Sequence, residues 1–479
     1  MINFVIFDVG LNLRAILNLL LIMNNSQDPF KIYQKIHFIG IGGIGISALA
    51  RILQARGHQI SGSELTISKN TQFLQAEGMN IKIGHNSENL DPTTELVIHT
   101  TAIPANNPEL LTAQSKKINI LTYPQAVGWL TKNFDTIAVC GTHGKTTTTA
   151  MAALALTANS ADPTVIVGSL MTEFSNKNER LGESNLFILE ACEYQEAFLN
   201  YHPKIILLNN IDPEHLDYFQ NAENYIKVFQ TFLSQLQTGG LLIANADDSN
   251  IRELIKHNPT IKTITYGTTP DCDYQINKHQ VKHAGKTLEL NLFLPGQHNI
   301  YNAVAAIVLS DYLQLDQGVS IEAISNFHGA NRRFEIKGKI GNTTIVDDYG
   351  HAPVEIQATL AGAKEFFGKN SKILCVFQPH QYSRTFFFLN EFSNSFNDAA
   401  KVYIPNIYAS RDSEEDLKRI NVDTLVEAIN SNSSNLAENT QNFDQTFQMV
   451  KSNYQNYDAV ITMGAGDITK LSDQFLNLT

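Results

Sequence analysis

The chain has 479 residues, of which 43% are hydrophobic and 17% charged, and a net charge of -12. That composition excludes a disordered chain, and the acidic balance excludes nucleic acid as a bulk partner, so a nucleotide would have to be held by local backbone dipoles and a few cations. The length sets a prior of about three domains, and four scattered cysteines with no Cys-x-x-Cys pair point to a reducing compartment without structural zinc.

Phe4 to Ile22 is rich in leucine and isoleucine, but Asp8, Arg14 and asparagines interrupt it, which disfavours a membrane span of about 20 apolar residues. The segment lacks a basic leader and a small-residue cleavage site, so a secretory signal is not expected. Met23 reads as an ordinary start, and residues 1–34 are expected to be an extension without a domain of its own. The expected location is the cytoplasm.

From Lys35 onward, strand-like and helix-like segments alternate. Lys35–Ile39 is a short apolar strand that enters Gly40-Ile41-Gly42-Gly43-Ile44-Gly45, and a helical pattern follows to Arg56, where Gly57 caps it. Gly40, Gly42 and Gly45 match the G-x-G-x-x-G fingerprint, and Glu64 follows about 20 residues later, where a ribose-binding acid would sit. The glycines alone leave two readings open, a nicotinamide dinucleotide or the diphosphate of a UDP-sugar on the helix N-terminus.

The second phosphate loop is more specific. An apolar run, Thr136–Val139, leads into Cys140-Gly141-Thr142-His143-Gly144-Lys145-Thr146-Thr147, and an alanine-rich helical segment leads out. Gly141 and Gly144 let backbone N–H groups approach a phosphate, Lys145 can reach its outer oxygens, and the Thr146 hydroxyl can ligate Mg²⁺. Strands predicted at Thr164–Val167, Leu186–Leu189, Lys204–Asn209 and Leu241–Asn245 imply a mostly parallel sheet with its sites at the strand carboxyl ends. Two of these strands end in Glu190 and in the segment Asn209–Tyr218, which carries His215. A carboxylate and an imidazole beside Lys145 and Thr146 suit a cation that screens a triphosphate. The third segment repeats the alternation, with strands predicted at Thr344–Val346, Ile373–Phe377, Val402–Ile404 and Ala459–Thr462. The Asn-, Ser- and Glu-rich stretches between Ser410 and Gln441 read as solvated helix faces and loops, and Phe386-Phe387-Phe388 as helix packing.

The ordered motifs GIGGIGISAL, GTHGKT, EACEY, NNIDPEHLDYF, PGQHNIYNAVAA, RRF, DDYGHAPVEI and FQPHQYSRT resemble the Mur ligases, which build the peptide of bacterial peptidoglycan, and the resemblance covers residues 35 to roughly 468. The resemblance is to the branch that attaches the first residue. It implies a cytoplasmic, ATP- and Mg²⁺-dependent enzyme that joins L-alanine to UDP-N-acetylmuramate through an acyl phosphate, working as a monomer or weak homodimer without stable membrane insertion. It implies three α/β domains: a Rossmann-like UDP-sugar domain (35–132), a central P-loop ATPase domain with a mostly parallel sheet (133–330) and a Rossmann-like C-terminal ligase domain (331–479).

The resemblance also implies roles. Gly40, Gly42, Gly43, Ile44, Gly45, Ser63 and Thr101 would hold the UDP-sugar. Gly141, Thr142, His143, Gly144, Lys145, Thr146, Thr147, Asn299, Asn302, Arg332 and Asp347 would meet ATP. Thr146, Glu190 and His215 would ligate the metal, while Lys145, Arg332, His351 and Arg384 would carry the chemistry. His298 would lie near the nucleotide and Tyr349 near the amino-acid side. Cys192, Ala352 and Gln381 stand where many relatives carry aspartate, histidine and arginine. Rival readings are a recycling ligase that joins a tripeptide to the same sugar nucleotide, a nicotinamide-dependent oxidoreductase and a non-catalytic Mur-like binding protein.

Overall fold

A computed structural model describes residues 28–214, 216–433 and 435–478, and contains three sheets, each with its own layer of helices. The readings made for Phe4–Ile22, Met23 and His215 lie outside the described residues.

The first sheet joins β1 (Lys35–Ile39), β2 (Gln59–Glu64), β3 (Asn80–Ile83), β4 (Leu96–His99) and β5 (Asn119–Thr122) in the order β3-β2-β1-β4-β5. All pairings are parallel. Ile36, Phe38 and Ile39 of β1 are almost wholly buried, as a strand covered on both faces requires. The strand order reverses between β1 and β4, so a crevice opens at their carboxyl ends. There the glycine loop turns into α1 (Ile44–Ala55).

The central sheet holds β6 (Asp135–Cys140), β7 (Thr164–Met171), β8 (Lys177–Arg180), β9 (Leu186–Glu190), β10 (Ile205–Leu208), β11 (Leu241–Asn245), β12 (Lys262–Gly267), β13 (Tyr274–Asn277), β14 (Gln280–His283) and β15 (Lys286–Glu289). Their order is β15-β14-β13-β12-β11-β10-β6-β9-β7-β8. Its middle is parallel, and two antiparallel additions, β7–β8 at one edge and β13–β14–β15 at the other, extend it. β6 lies between β9 and β10, which places the ends of all three strands around the start of α2 (Lys145–Ala158). α2 packs along α3 (Gln297–Tyr312), and both are rich in alanine, which lets the two backbones approach closely.

The third sheet has the order β16-β17-β21-β18-β19-β20, from β16 (Glu335–Ile340), β17 (Thr343–Asp348), β18 (Ile373–Phe377), β19 (Lys401–Ile404), β20 (Ala437–Asn439) and β21 (Ala459–Met463). Only β16 runs antiparallel to its neighbour. α4 (Pro353–Phe367) starts just after β17, where Glu355 turns back to accept the His351 and Ala352 backbone N–H groups at 2.9 and 3.1 Å.

One packing expectation fails. Phe388 is partly buried against the core, but Phe386 and Phe387 are 43% and 65% exposed, with the Arg419 guanidinium over both rings. Cation–π contact stands in for burial there. Among the described residues no helix is long and apolar enough to cross a membrane.

Candidate active site

The phosphate loop follows β6 without a side-chain cap. Gly141 and Gly144 have φ of +131° and +77°, in the region that favours glycine. Gly144 is doubly constrained, because a Cβ there would lie 2.4 Å from Asn302 Oδ1. Asn302 in turn accepts from Thr148 Oγ1 at 3.1 Å and donates to Asn299 Oδ1 at 3.2 Å, so the two asparagines of α3 brace the loop and α2 from behind. The opposite wall comes from the end of β10. Asn210 accepts the Thr142 N–H on its carbonyl and the His143 N–H on its side chain, and Thr142 Oγ1 lies 2.8 Å from Tyr225 Oη.

Lys145 Nζ folds back on its own loop, donating to the Gly141 and Thr142 carbonyls at 2.6 and 2.9 Å and to Glu193 Oε2 at 2.9 Å. Burial alone would lower its pKa, but Glu193 beside it raises it, so the ammonium stays charged. One residue on, Thr146 Oγ1 donates to Glu190 Oε2 at 2.9 Å, and the Gly168 N–H donates to the same oxygen at 2.8 Å. Gly168 leaves this room by lacking a side chain, since a Cβ would sit 2.3 Å from Glu190 Oε2. A hydroxyl and a carboxylate side by side are hard oxygen donors of the kind Mg²⁺ takes, so the residues present fit that ion. Among the described residues no three His, Cys, Asp or Glu side chains gather into a cage. The other ligands would therefore be phosphate oxygens, water and groups outside that set.

Between the central and C-terminal domains lies a cavity of about 450 Å³. Gly144 and Thr147 line it beside His298, Asn299 and Asn302, and Arg333, Asp348 and Glu355 face them from the third domain. Burial holds the His298 imidazole down at about 4, so it is neutral at the cavity wall. His143 spans the gap, with Nδ1 3.1 Å from Glu355 Oε1 and Nε2 3.6 Å from Asp212 Oδ2. Burial opposes its charge, but the hydrogen bond to Glu355 and the negative charges of Glu355 and Glu214 together raise its pKa.

The two arginines after Asn331 part company. Arg332, at φ +60°, meets Asp347 Oδ2 at 3.2 Å and donates to the Gly464 and Gly466 carbonyls. Arg333 faces the cavity. The neighbouring aspartates divide in the same way: Asp347 pairs with Arg332 and Thr462, while Asp348 is on the cavity wall. Sequence reasoning missed Arg333, Asp348 and Glu355, although the doubled RRF and DDYG letters were the available signal.

The glycine loop of the first domain is laced to β2. Gly40 and Ile41 donate to the Ser63 carbonyl at 2.9 and 3.1 Å, and Gly42 donates to Glu64 Oε2 at 2.8 Å. Glu64 thus holds its own loop, where the dinucleotide reading assigned it a ribose. Gly43 caps α1, Ile44 opens it, and a Cβ on Gly45 would lie 2.6 Å from Tyr123 Oη. The Ser63 side chain is buried and donates to Glu109 Oε2 at 2.8 Å, whereas Thr101 is exposed after β4.

Family models match in chain order: the Mur ligase family catalytic domain over 35–135, the Mur ligase middle domain over 139–310 and the Mur ligase glutamate ligase domain over 332–466. A UDP-N-acetylmuramate–L-alanine ligase of Clostridium acetobutylicum is 39% identical over 458 residues, covering 93% of this chain and 98% of that protein. The chain belongs to the Mur ligase family. A second relative of the same name, from Clostridium perfringens, is 36% identical over the same shares. Among solved structures, the UDP-N-acetylmuramate–alanine ligase of Thermotoga maritima superposes with a TM-score of 0.77 at 29% identity, over 92% of this chain and 98% of that one. A murein peptide ligase from Psychrobacter arcticus, at 21% identity and a TM-score of 0.68, shares the fold, over 93% of this chain and 98% of that one.

Within this Mur ligase the three departures have defined places. Cys192 is an exposed free thiol just after β9. Ala352 sits at the N-cap of α4, its N–H held by Glu355. Gln381, at φ +75°, donates to the Ser410 carbonyl at 2.9 Å and ties two loops together. Arg384 crosses to the central domain, its Nη2 2.8 Å from Glu214 Oε1, while its buried Nη1 has no hydrogen-bond partner among the described residues. His351 lies beside the same carboxylate, Nε2 3.6 Å from Glu214 Oε1, and beneath Tyr349 in an edge contact of 5.4 Å.

Proposed function

We propose that this chain joins L-alanine to the lactyl carboxylate of UDP-N-acetylmuramate with hydrolysis of ATP to ADP and phosphate. The observation that carries this reading is the full-length identity with ligases of that name, 39% over 93% of the chain. The Lys145–Thr146–Glu190 cluster supplies its chemistry.

A carboxylate and an amine form no amide at neutral pH, because the oxyanion is a poor leaving group. In the first step the lactyl carboxylate oxygen attacks the γ-phosphorus, the bond to the β-phosphate oxygen breaks and ADP departs. In the second the alanine nitrogen attacks the acyl carbon, phosphate leaves and the amine loses a proton. Lys145 turns from the loop carbonyls toward the phosphate oxygens and spreads the developing charge. Arg333 on the cavity wall is the better-placed third-domain cation, while Arg332 holds Asp347 and the Gly464–Gly466 turn. Thr146, Glu190 and His215 would hold Mg²⁺, which when bound neutralises phosphate charge. The buried Nη1 of Arg384, unpartnered among the described residues, suits the alanine carboxylate, with His351 beside it. The sugar nucleotide lies along the Gly40–Gly45 loop, and closure of the domains keeps water from the acyl phosphate.

The test omits alanine. ATP, Mg²⁺ and UDP-N-acetylmuramate should leave an enzyme-bound acyl phosphate that borohydride reduces to the alcohol, and added L-alanine should suppress that product. AMP and pyrophosphate as products, or label fixed on a cysteine or serine, would overturn the reading.

A further inference from the structure

The sugar-nucleotide loop and the phosphate-transfer cluster lie on different domains, joined where α1 packs on β7 and β8 and where Lys177 meets Glu77 at 2.7 Å. Within that seam Asn178, on the edge strand β8, reaches the glycine-loop end of α1. Its Nδ2 donates to the Ile44 carbonyl at 2.8 Å, in the first turn of α1, and to the Val167 carbonyl of β7 at 3.3 Å. The residue is 1% exposed, and Oδ1 is buried with no hydrogen-bond partner among the described residues. Two carbonyls facing one end of the amide fix which end carries the nitrogen, because the flipped amide would set oxygen against oxygen. The unpaired oxygen costs stability that the two bonds at the nitrogen end have to offset.

The segment of β7 that Asn178 grips is a junction. Gly168 N–H donates to the candidate metal carboxylate Glu190 at 2.8 Å. Leu170 accepts from the Asn331 N–H at 2.9 Å, and Ser169 Oγ donates to the Asn331 carbonyl at 2.7 Å, one residue before Arg332. Residues 167–170 are thus bonded within the central domain and to the third, and through Asn178 they reach the first. A further interdomain contact, Arg51 of α1 to Glu179 at 3.3 Å, flanks Asn178 and holds the two bodies together independently of it.

We propose that Asn178 is a positioning residue for phosphoryl transfer, clamping the first turn of the sugar-nucleotide helix to β7 so that the acceptor carboxylate and the Glu190–Thr146 pair are held in one frame. The inference rests on the ligase reading above. A slack clamp would misplace the acceptor relative to the γ-phosphate, and a displacement of about 1 Å is enough to slow such a step by about 100-fold.

The test compares wild type with Asn178→Leu and Asn178→Asp in steady-state ADP release. Leu keeps the branched outline in a bulkier form and removes both the clamp and the unpaired oxygen; Asp turns the donor end into an oxygen that faces two carbonyls. Both variants should lose at least about tenfold in kcat/KM for UDP-N-acetylmuramate, with KM for ATP within about twofold of wild type. Melting of Asn178→Leu should match wild type, which a merely structural role would not allow together with that loss. Wild-type constants in both variants would overturn the proposal, as would equal losses toward both substrates that track a fall in melting temperature, or failure of both variants to fold. A wild-type enzyme that releases no ADP with UDP-N-acetylmuramate and L-alanine would instead sink the ligase reading.

Discussion

His143 in the phosphate loop and Glu355 at the start of α4 meet across two domains at 3.1 Å, 212 residues apart in the chain. The contact is an ion pair only while the imidazole is protonated, and both pKa shifts favour that state. Burial opposes the charge of Glu355, yet His351 and His143 hold its carboxyl well below the usual range, while Glu355 raises His143.

The latch therefore has a pH window. His143 contributes its stabilisation fully below its unfolded value of about 6.5, and loses it as pH rises through the raised folded value. Glu355 contributes above its unfolded value of about 4.3, and loses it as pH falls through the depressed folded one. The melting-temperature difference between wild type and His143→Asn should be largest near pH 6 and shrink on the alkaline side. A difference that grows from pH 7 to 9 would contradict the assignment.

Lys145→Ala should lower turnover by at least about 10³-fold, on the order of 4 kcal/mol of transition-state stabilisation. Its dissociation constant for UDP-N-acetylmuramate should stay within about threefold, because the glycine loop that would bind it is on the other sheet. Calorimetric titration of the variant decides this, and comparable loss of sugar-nucleotide binding would refute the division of labour.

Gly168→Ala tests the metal pair without touching a ligand. The new methyl would sit 2.3 Å from Glu190 Oε2, so the carboxylate must turn away from Thr146. The Mg²⁺ concentration giving half-maximal ADP release should rise by about tenfold or more, with the melting temperature close to wild type. An unchanged Mg²⁺ dependence would remove Glu190 from the ligand set.

Arg332→Ala and Arg333→Ala should fail in different ways. Loss of Arg332 leaves the fully buried Asp347 carboxylate without its cation, at a cost of about 3 kcal/mol or more that thermal or urea unfolding would register. Loss of Arg333 should leave stability nearly intact and raise KM for ATP or lower kcat. The opposite pattern would return the phosphate role to Arg332.

Strands that follow the βα rhythm, such as β6, β9 and β10, were legible because an apolar run ending in Gly141, Glu190 or Asn209 announces both the element and the place of its site. Other parts were not legible, for physical reasons. Asn178 lies on an antiparallel edge strand that carries no apolar run, and its importance comes from a carbonyl in another domain. Arg332 and Arg333 are identical letters in sequence; only the left-handed backbone at Arg332 sends one to Asp347 and the other to the cavity. Glu355 reads as an ordinary helix-start carboxylate, which it also is. The antiparallel β13–β15 extension was hidden by short, half-polar segments that fit a loop equally well. Phe387 shows the reverse error, an apolar residue assigned to packing that is exposed beneath a guanidinium.

The 450 Å³ cavity has one wall from each of two domains. A compound that fills it touches both walls only while they are together, so its affinity is reduced by the fraction of molecules that stand apart. Once seated, it opposes their separation and works as an adhesive between moving parts. An inhibitor of that kind would take the space assigned to the nucleotide, and its grip on two walls would show as a long residence time.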